Sequence, residues 1–558
     1  MSTRLVLWIL ILALPVPTAR GASRYRPGDW VSFSLFRYVN SITTDHRHVY
    51  FATTGGITRY SLFEDAWETP LTTSDGLVDN RVNVVAMEPT FNDLWCATSG
   101  GVSRYNPATQ SWTTYRSGSG LFLDGVHSIG VTSDARLLFE TAAGTAVFDV
   151  HRQFWLTEQA DVISANNPGR TRWYGARRQL SYQYPIFITE FDYLFDPPSH
   201  IQDREFRSYR LTDFLEDTFS NVWIGTWGLN VGKASLRTLK MEIEPIGLVT
   251  RNATAISSDG DNIWFGGGID TQSLGRATQY IRGIERVQDR GGISRYHRKS
   301  DTWTHFQPYD TRGFTNGSIT AIEIDSATVW FGTDEGVVRY DQKRNDWTTL
   351  PISGFTSTRI TDFAIGDTLL WVGTESGVNT VNLRTRAIAP FLQPVLRDRR
   401  IYDMSIDEFG DLWIATDNGV YRHRPGGTWK KIEDPESSNL NRSVFAVNTD
   451  GNTIWFGNDS TILCFDRTTG GWKEWLIPLA AAGTPYRMVV SNRAIWLGTR
   501  YGAMEFDRMK ESWQIYTTRD GLLNDTVQAI LPDGDHIWFG TPEGVSRFYW
   551  NDPTRLNK

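Results

Sequence analysis

The sequence predicts an all-β protein, a β-propeller of about twelve four-stranded blades arranged as two packed propellers. Three observations carry that expectation. A module of about 42 residues recurs along the chain. Each copy reads as short strands separated by turn residues. The last copy lacks one strand, which the beginning of the chain can supply.

The module is clearest at Val329–Tyr340, VWFGTDEGVVRY. It returns as LWCATSGGVSRY from Leu94, LWVGTESGVNTV from Leu370, LWIATDNGVYRH from Leu412 and IWFGTPEGVSRF from Ile537. Its tryptophan anchors are Trp95, Trp223, Trp264, Trp330, Trp371, Trp413, Trp455, Trp496 and Trp538, with Tyr50 and Leu138 in the same place in two further copies. Trp173, in RWYGARRQLSY, reads as a decayed twelfth copy. From Trp330 onward the anchors are 41, 42, 42, 41 and 42 residues apart. A second tryptophan follows most anchors: Trp67, Trp112, Trp155, Trp347, Trp472 and Trp513 each lie 17 residues on. Trp303 lies 39 after Trp264, which marks an insertion of 22 residues. The two series absorb most of the 23 tryptophans, so their abundance is first a packing pattern.

Within a module the signals are for strands. In residues 82–115, VNVVAM, LWCAT, VSRY and SWTTY are β-branched and aromatic runs, divided by Asn-Asp, Gly-Gly and Asn-Pro turns. Four strands in about 42 residues match one propeller blade. A helical solenoid of similar period is excluded, because no module offers ten residues of 3.6-residue periodicity. Small residues in W-x-G-T suit the crowded inner part of a blade.

The final module stops after its third strand, Arg547–Tyr549, without the W-T-x-Y strand. Asp29–Phe33, DWVSF, is a matching orphan. Sharing a blade between the two ends would remove an open edge and make one ring discontinuous in sequence. Twelve blades exceed the four to eight typical of one ring. Two rings of about five to seven blades are therefore expected, as an irregular propeller over 23–250 and a regular one of seven units over 251–558.

Residues 1–22 read as a signal peptide: Arg4, the apolar run Leu5–Leu14, then small residues around Ala19, Gly21 and Ala22. Ten helical residues rise about 15 Å, half of a bilayer core of about 30 Å. The expected location is periplasmic or extracellular, with no membrane span in the mature chain. The net charge of −7, from 56 basic and 63 acidic residues, gives no field for nucleic acid. Two cysteines make no disulfide framework.

The string TTRDGLLNDTVQAILPDGDHIWFGTPEGVSRF (Thr517–Phe548) resembles the two-component regulator propeller repeat, and so does Thr72–Tyr105. The resemblance covers almost everything from Trp30 to Tyr549. It implies a sensing module of the kind found outside the membrane in histidine kinases, or in exported envelope proteins involved in secretion. Twenty residues follow Trp538 and hold no kinase, so signalling would require a separate sensor kinase.

No cofactor and no metal are expected. The sequence has no H-E-x-x-H, no Cys pair with metal-ligand spacing, no G-x-S-x-G and no phosphate-cradling loop. His46 and His48 share a strand face without a third ligand nearby. The Asp-Gly pairs at Asp259, Asp450 and Asp533 read as hairpin turns. The alternative function is a carbohydrate-active propeller enzyme, with a carboxylate pair among the loops.

Recognition on such a scaffold belongs to the segments that break the period. One is the insertion at 269–290, with Arg276, Tyr280, Arg282 and Arg286. The other is Asn167–Arg210, with Arg172, Trp173, Tyr174, Arg177, Arg178 and Tyr184. Arg and aromatics are favoured at binding hot spots, and these ten are the candidate residues for a carbohydrate-like ligand or an envelope protein partner. The competing reading is a decayed blade and a packing surface between rings. The expected function is an exported, non-enzymatic binding or sensor-type propeller.

Overall fold

The computed structural model describes residues 25–118, 123–156, 171–179, 181–189, 193–268, 291–308, 311–390, 394–433, 438–478 and 485–553. The secondary structure is strand throughout, apart from three single-turn 3-10 segments. Eleven antiparallel-based sheets occur among these residues, nine of them four-stranded. The candidate signal peptide lies outside the described residues.

Each regular blade is a meander of four strands. In the Trp330 blade, Ile319–Asp325 lies innermost, followed by Thr328–Thr333, Gly336–Asp341 and Asp346–Thr349. The local cause is repeated almost verbatim in each module. The threonine of W-x-G-T takes the tight turn into its own hydroxyl: Thr333 Oγ1 donates to Gly336 O at 2.9 Å and accepts from Glu335 N at 3.0 Å. Alternation then sends the anchor tryptophan to one face, where it is buried against the following blade. Trp264 packs with Phe331, Tyr340 and Trp347, Trp330 with Leu370 and Val372, and Trp496 with Ile537 and Phe539.

The same rule closes the second ring. Trp538, 1% exposed, packs on Ile263, Phe265, Tyr296 and Trp303 of the Trp264 blade. The innermost strands of the seven blades touch in succession from Ala253–Ser258 to Ala529–Asp533, which returns to Ala253–Ser258. The missing fourth strand of the last blade is Trp30–Phe33, paired with Gly544–Tyr549 in the register Trp30↔Phe548 and Phe33↔Val545. The first residues of the fold are thus built into its last blade. The first ring is strung between this strand and the rest of the second ring.

The first ring holds four sheets among the described residues. Its fourth sheet, on Ser208–Glu216, touches the first on Val39–Thr44. That strand touches Val82–Glu88, which in turn touches Ser128–Thr132. The module expected at Trp173 forms no sheet of its own. Its strand, Thr171–Gly175, joins the third sheet as a fifth, innermost member beside Ser128–Thr132. It kept the W-Y-G of the repeat, but among the described residues no hairpin follows that it could pair with, and it adds to an existing edge. The Trp223 sheet is also atypical. Short strands Ile188–Thr189, Leu194–Asp196 and His200–Gln202 enlarge it to seven strands, and Phe187, Phe195 and Ile201 give it a core of its own.

Two connecting segments cross between the rings side by side. Leu35 pairs with Gly247, and Leu248 N donates to Ser34 O at 2.9 Å. Gly247 has a φ of +68°, and a Cβ there would sit 2.5 Å from the Phe36 ring, so only glycine fits. Buried Arg37 ties the rings together. Its Nε donates to Gly228 O at 2.6 Å in the first, and its Nη1 to Gln307 Oε1 at 3.1 Å in the second.

Candidate functional site

The irregular strand Thr171–Gly175 sits where the first ring departs from the repeat. The third sheet carries Leu138 in the anchor position, and a leucine is too short to reach across to another blade. Its face is covered from within its own sheet. Trp173, Gly130, Leu138, Val147 and Leu156 are directly opposite one another across five strands. Gly130 leaves room for the indole, since a Cβ there would meet Trp173 at 2.9 Å. Among the described residues, Leu138 and Val147 are thereby buried under Leu156 and Trp173.

The expected residues divide at this strand. Arg177 lies over the Trp173 ring at 4.4 Å from its centroid and pairs with Glu140 at 2.7 Å, while 49% of its side chain stays exposed. Arg172 is exposed and stands 5.2 Å from the Tyr174 ring. Tyr174 itself is buried between the second and third sheets. Arg178 turns inward: Nη1 is 2.8 and 3.0 Å from the Asp213 oxygens, and Nη2 donates to Phe214 O at 2.6 Å. Asp213 also accepts from Ile42 N at 2.8 Å. Burial pushes the Asp213 carboxyl up to about 6, opposed by the Arg178 cation. Tyr184, half-buried, packs against the core of the Trp223 sheet. Arg172 and Arg177 are thus exposed and Trp173 is half-buried, while Tyr174 is buried and Arg178 and Tyr184 are half-buried against Asp213 and the Trp223 sheet. Arg276, Tyr280, Arg282 and Arg286 lie outside the described residues.

A second charged cluster lies at the axis of the second ring, and its members escaped the sequence reading. Arg487 Nη1 lies 2.9 Å from Asp362 Oδ1 and 3.0 Å from Asp403 Oδ1, reaching across from the sixth blade to the third and fourth. The other oxygen of each carboxylate holds the next inner strand: Asp362 accepts from Met404 N at 2.8 Å, and Asp403 from Val447 N at 2.9 Å. Burial raises the Asp403 carboxyl well above its usual range, and the paired Arg487 opposes the rise. Burial, then the Asp362 charge, push Glu323 up to about 7. The legible signal was positional. Asp362, Asp403 and Arg487 sit opposite the small residue of W-x-G/A, where Ala255, Ala321, Ala446 and Ala529 stand in the other blades.

Among the described residues, no group of three or more His, Cys, Asp or Glu is placed to hold a metal. No helix among them is long and apolar enough to cross a membrane. His48, one of the paired histidines, bonds Glu68 Oε1 at 3.0 Å.

No family model and no curated protein matches this sequence. Among solved structures, the chain is similar to PorZ, an essential bacterial surface component of the type-IX secretion system of Porphyromonas gingivalis. That match has a TM-score of 0.63 at 12% identity and covers 94% of this chain and 87% of the other. The extracellular domain of a putative hybrid two component system from B. thetaiotaomicron matches at a TM-score of 0.44 and 16% identity, over 93% and 82% of the two chains. Virginiamycin B lyase from Staphylococcus aureus matches at 0.41 and 14%, over 53% of this chain and 94% of its own. The chain shares the double-propeller fold.

Proposed function

We propose that the protein is an exported, non-enzymatic double propeller that binds an envelope protein or a carbohydrate-like ligand through the irregular side of its first ring. The observation that carries this reading is the accessible Arg172–Trp173–Arg177 group. It is built around a strand that the repeat does not require, in the sheet whose anchor position holds Leu138 instead of an aromatic residue. Rigid blades hold it, and an Arg stacked on an indole offers both a planar donor fork and an apolar face. The fold shared with a bacterial surface component supports an envelope location.

The test is affinity capture with in-cell crosslinking of the tagged chain from its native envelope, read by mass spectrometry. The reading predicts a dominant partner that is lost on combining Arg172→Ala, Trp173→Ala and Arg177→Ala. Capture that survives the triple variant, or glycan turnover by the purified chain, would contradict it.

A further inference from the structure

A cavity of about 340 Å³ opens between the last and first blades of the second ring. Tyr296 and Arg298 line one side; Asp533, His536, Trp538 and Arg547 line the other. The meaning of this cavity follows from comparing two copies of the repeat.

Residues 45–51, DHRHVYF, and 533–539, DGDHIWF, occupy the same place in their blades, with His48 matching His536 and Tyr50 matching Trp538. In the first blade Arg59 lies opposite Tyr50, and Glu68 of the outer strand lies opposite Arg59. Glu68 serves both basic groups: it accepts from His48 Nε2 at 3.0 Å and pairs with Arg59 Nε at 3.0 Å. In the last blade Arg547 lies opposite Trp538 in the same register, but the outer strand is the one donated by the start of the chain. It places Val31 opposite Arg547. The basic pair is retained and the carboxylate that serves it is gone.

Other arginines across from an anchor tryptophan find a carboxylate in their own blade, as Arg104 does with Asp93 and Arg422 with Asp411, whereas Arg295, across from Trp264, donates to Thr304 Oγ1 of its own blade. Arg547 has no hydrogen bond or ion pair among the described residues; its guanidinium stands 5.6 Å from the Trp538 ring centroid. The nearest carboxylate of the cavity, Asp533, is engaged by Arg298 at 2.5 Å and by Trp538 Nε1 at 3.0 Å. Outside the lining, Asp301 acts on Tyr296 and Asp535 on His536. The cavity wall thus keeps a guanidinium without an ion-pair partner among the described residues beside an imidazole.

We propose that this cavity binds the carboxylate of a small organic acid about the size of a monosaccharide, which gives Arg547 and His536 the anionic partner that Glu68 gives Arg59 and His48 in the first blade. Arg547 and His536 grip the carboxylate, and Arg298 with Tyr296 face the body of the ligand. A guanidinium supplies paired donors in the plane of a carboxylate, and the half-buried setting strengthens that bond relative to water. The volume lies at the small end of ligand sites. The assignment deepens the reading of the chain as a binding module and rests on it. The site is nevertheless separate from the Trp173 surface, so the two can fail independently.

The imidazoles report the difference. Asp45 and Glu68 hold His48 up at about 9, whereas burial and the Arg547 charge hold His536 below its ordinary value. A bound carboxylate reverses the His536 shift.

The experiment titrates the purified full chain with glucuronate by calorimetry and follows the His536 imidazole by NMR. Glucose and inorganic sulfate are the comparison ligands. Saturable binding of glucuronate is expected, with a rise of His536 pKa of about one unit or more. Glucose should not bind, and sulfate should bind about tenfold more weakly. Arg547→Ala should weaken binding about tenfold to a hundredfold, and Arg59→Ala should leave it unchanged. Three results would overturn the proposal: no saturable binding by the natural chain, equal binding after Arg547→Ala, or sulfate bound as tightly as glucuronate.

Discussion

The two rings apply one packing rule with different success. In the second ring every blade sends a tryptophan into the next, and the seventh, Trp538, reaches the first. In the first ring the rule runs from Trp223 through Tyr50 and Trp95 and then fails at Leu138. The third sheet there recruits Trp173 from an added strand, while the fourth builds a core of its own. The difference teaches where freedom resides in a repeat protein. A blade that must complete its neighbour is held by it, and a blade that covers its own face can keep exposed side chains for another use.

The largest effect that separates the rings is expected from their anchors. Trp538→Ala should cost about 3–5 kcal/mol, as for a fully buried aromatic, and loosen the closure of the second ring. Trp173→Ala, half-buried at the end of its row, should cost about 1–2 kcal/mol. Denaturant unfolding read by fluorescence compares them; equal losses would erase the distinction.

The axial charges come next. Arg487→Ala leaves Asp362 and Asp403 without their cation. Because 39% of the Arg487 side chain meets solvent, the expected loss is about 2–3 kcal/mol at neutral pH, less than for a fully dry pair. The loss should shrink on acidification, as the carboxyls protonate. A loss that grows at low pH would refute the pairing.

Two histidines should respond to pH in opposite directions. His48, raised to about 9 by Asp45 and Glu68, stabilises the first ring fully below pH 6.5 and loses that contribution as pH rises through 9. His305 accepts burial at the ring junction as a neutral group bonded to Gly247 O at 2.9 Å, and desolvation lowers it to about 4. Its folded value lies below the unfolded one, so its contribution is present above pH 6.5 and lost as pH falls through 4. His48→Gln should flatten the alkaline limb of a stability profile, and His305→Gln the acid limb; the reverse assignment would contradict the geometry.

The smallest effect is expected at the surface. Arg177→Ala removes an exposed pair with Glu140 and should change stability by under about 1 kcal/mol, while reducing partner capture. A stability loss as large as that of Arg487→Ala would make Arg177 a structural residue.

Much of this was legible in the sequence, because the repeat states its own register. The W-x-G-T spacing fixed the strands, and the orphan Trp30 matched the strand that the Trp538 blade lacked. Trp173 misled because its W-Y-G imitates an anchor; what decides a blade is the hairpin that follows, and RRQLSY supplies none. Arg178 and Tyr184 looked like surface residues by composition. Their partners, Asp213 and the Phe187–Phe195 core, lie outside the local pattern. Asp362, Asp403 and Arg487 were readable only by aligning inner strands, where a charge replaces alanine.

Hydrogen–deuterium exchange of the intact chain tests the central contrast most directly. The account predicts that residues 30–33 exchange as slowly as 544–549, despite lying more than five hundred residues away in sequence, and that 171–175 exchange faster than either. Early exchange of 30–33 with 544–549 still protected, or 171–175 as protected as the second ring, would contradict it.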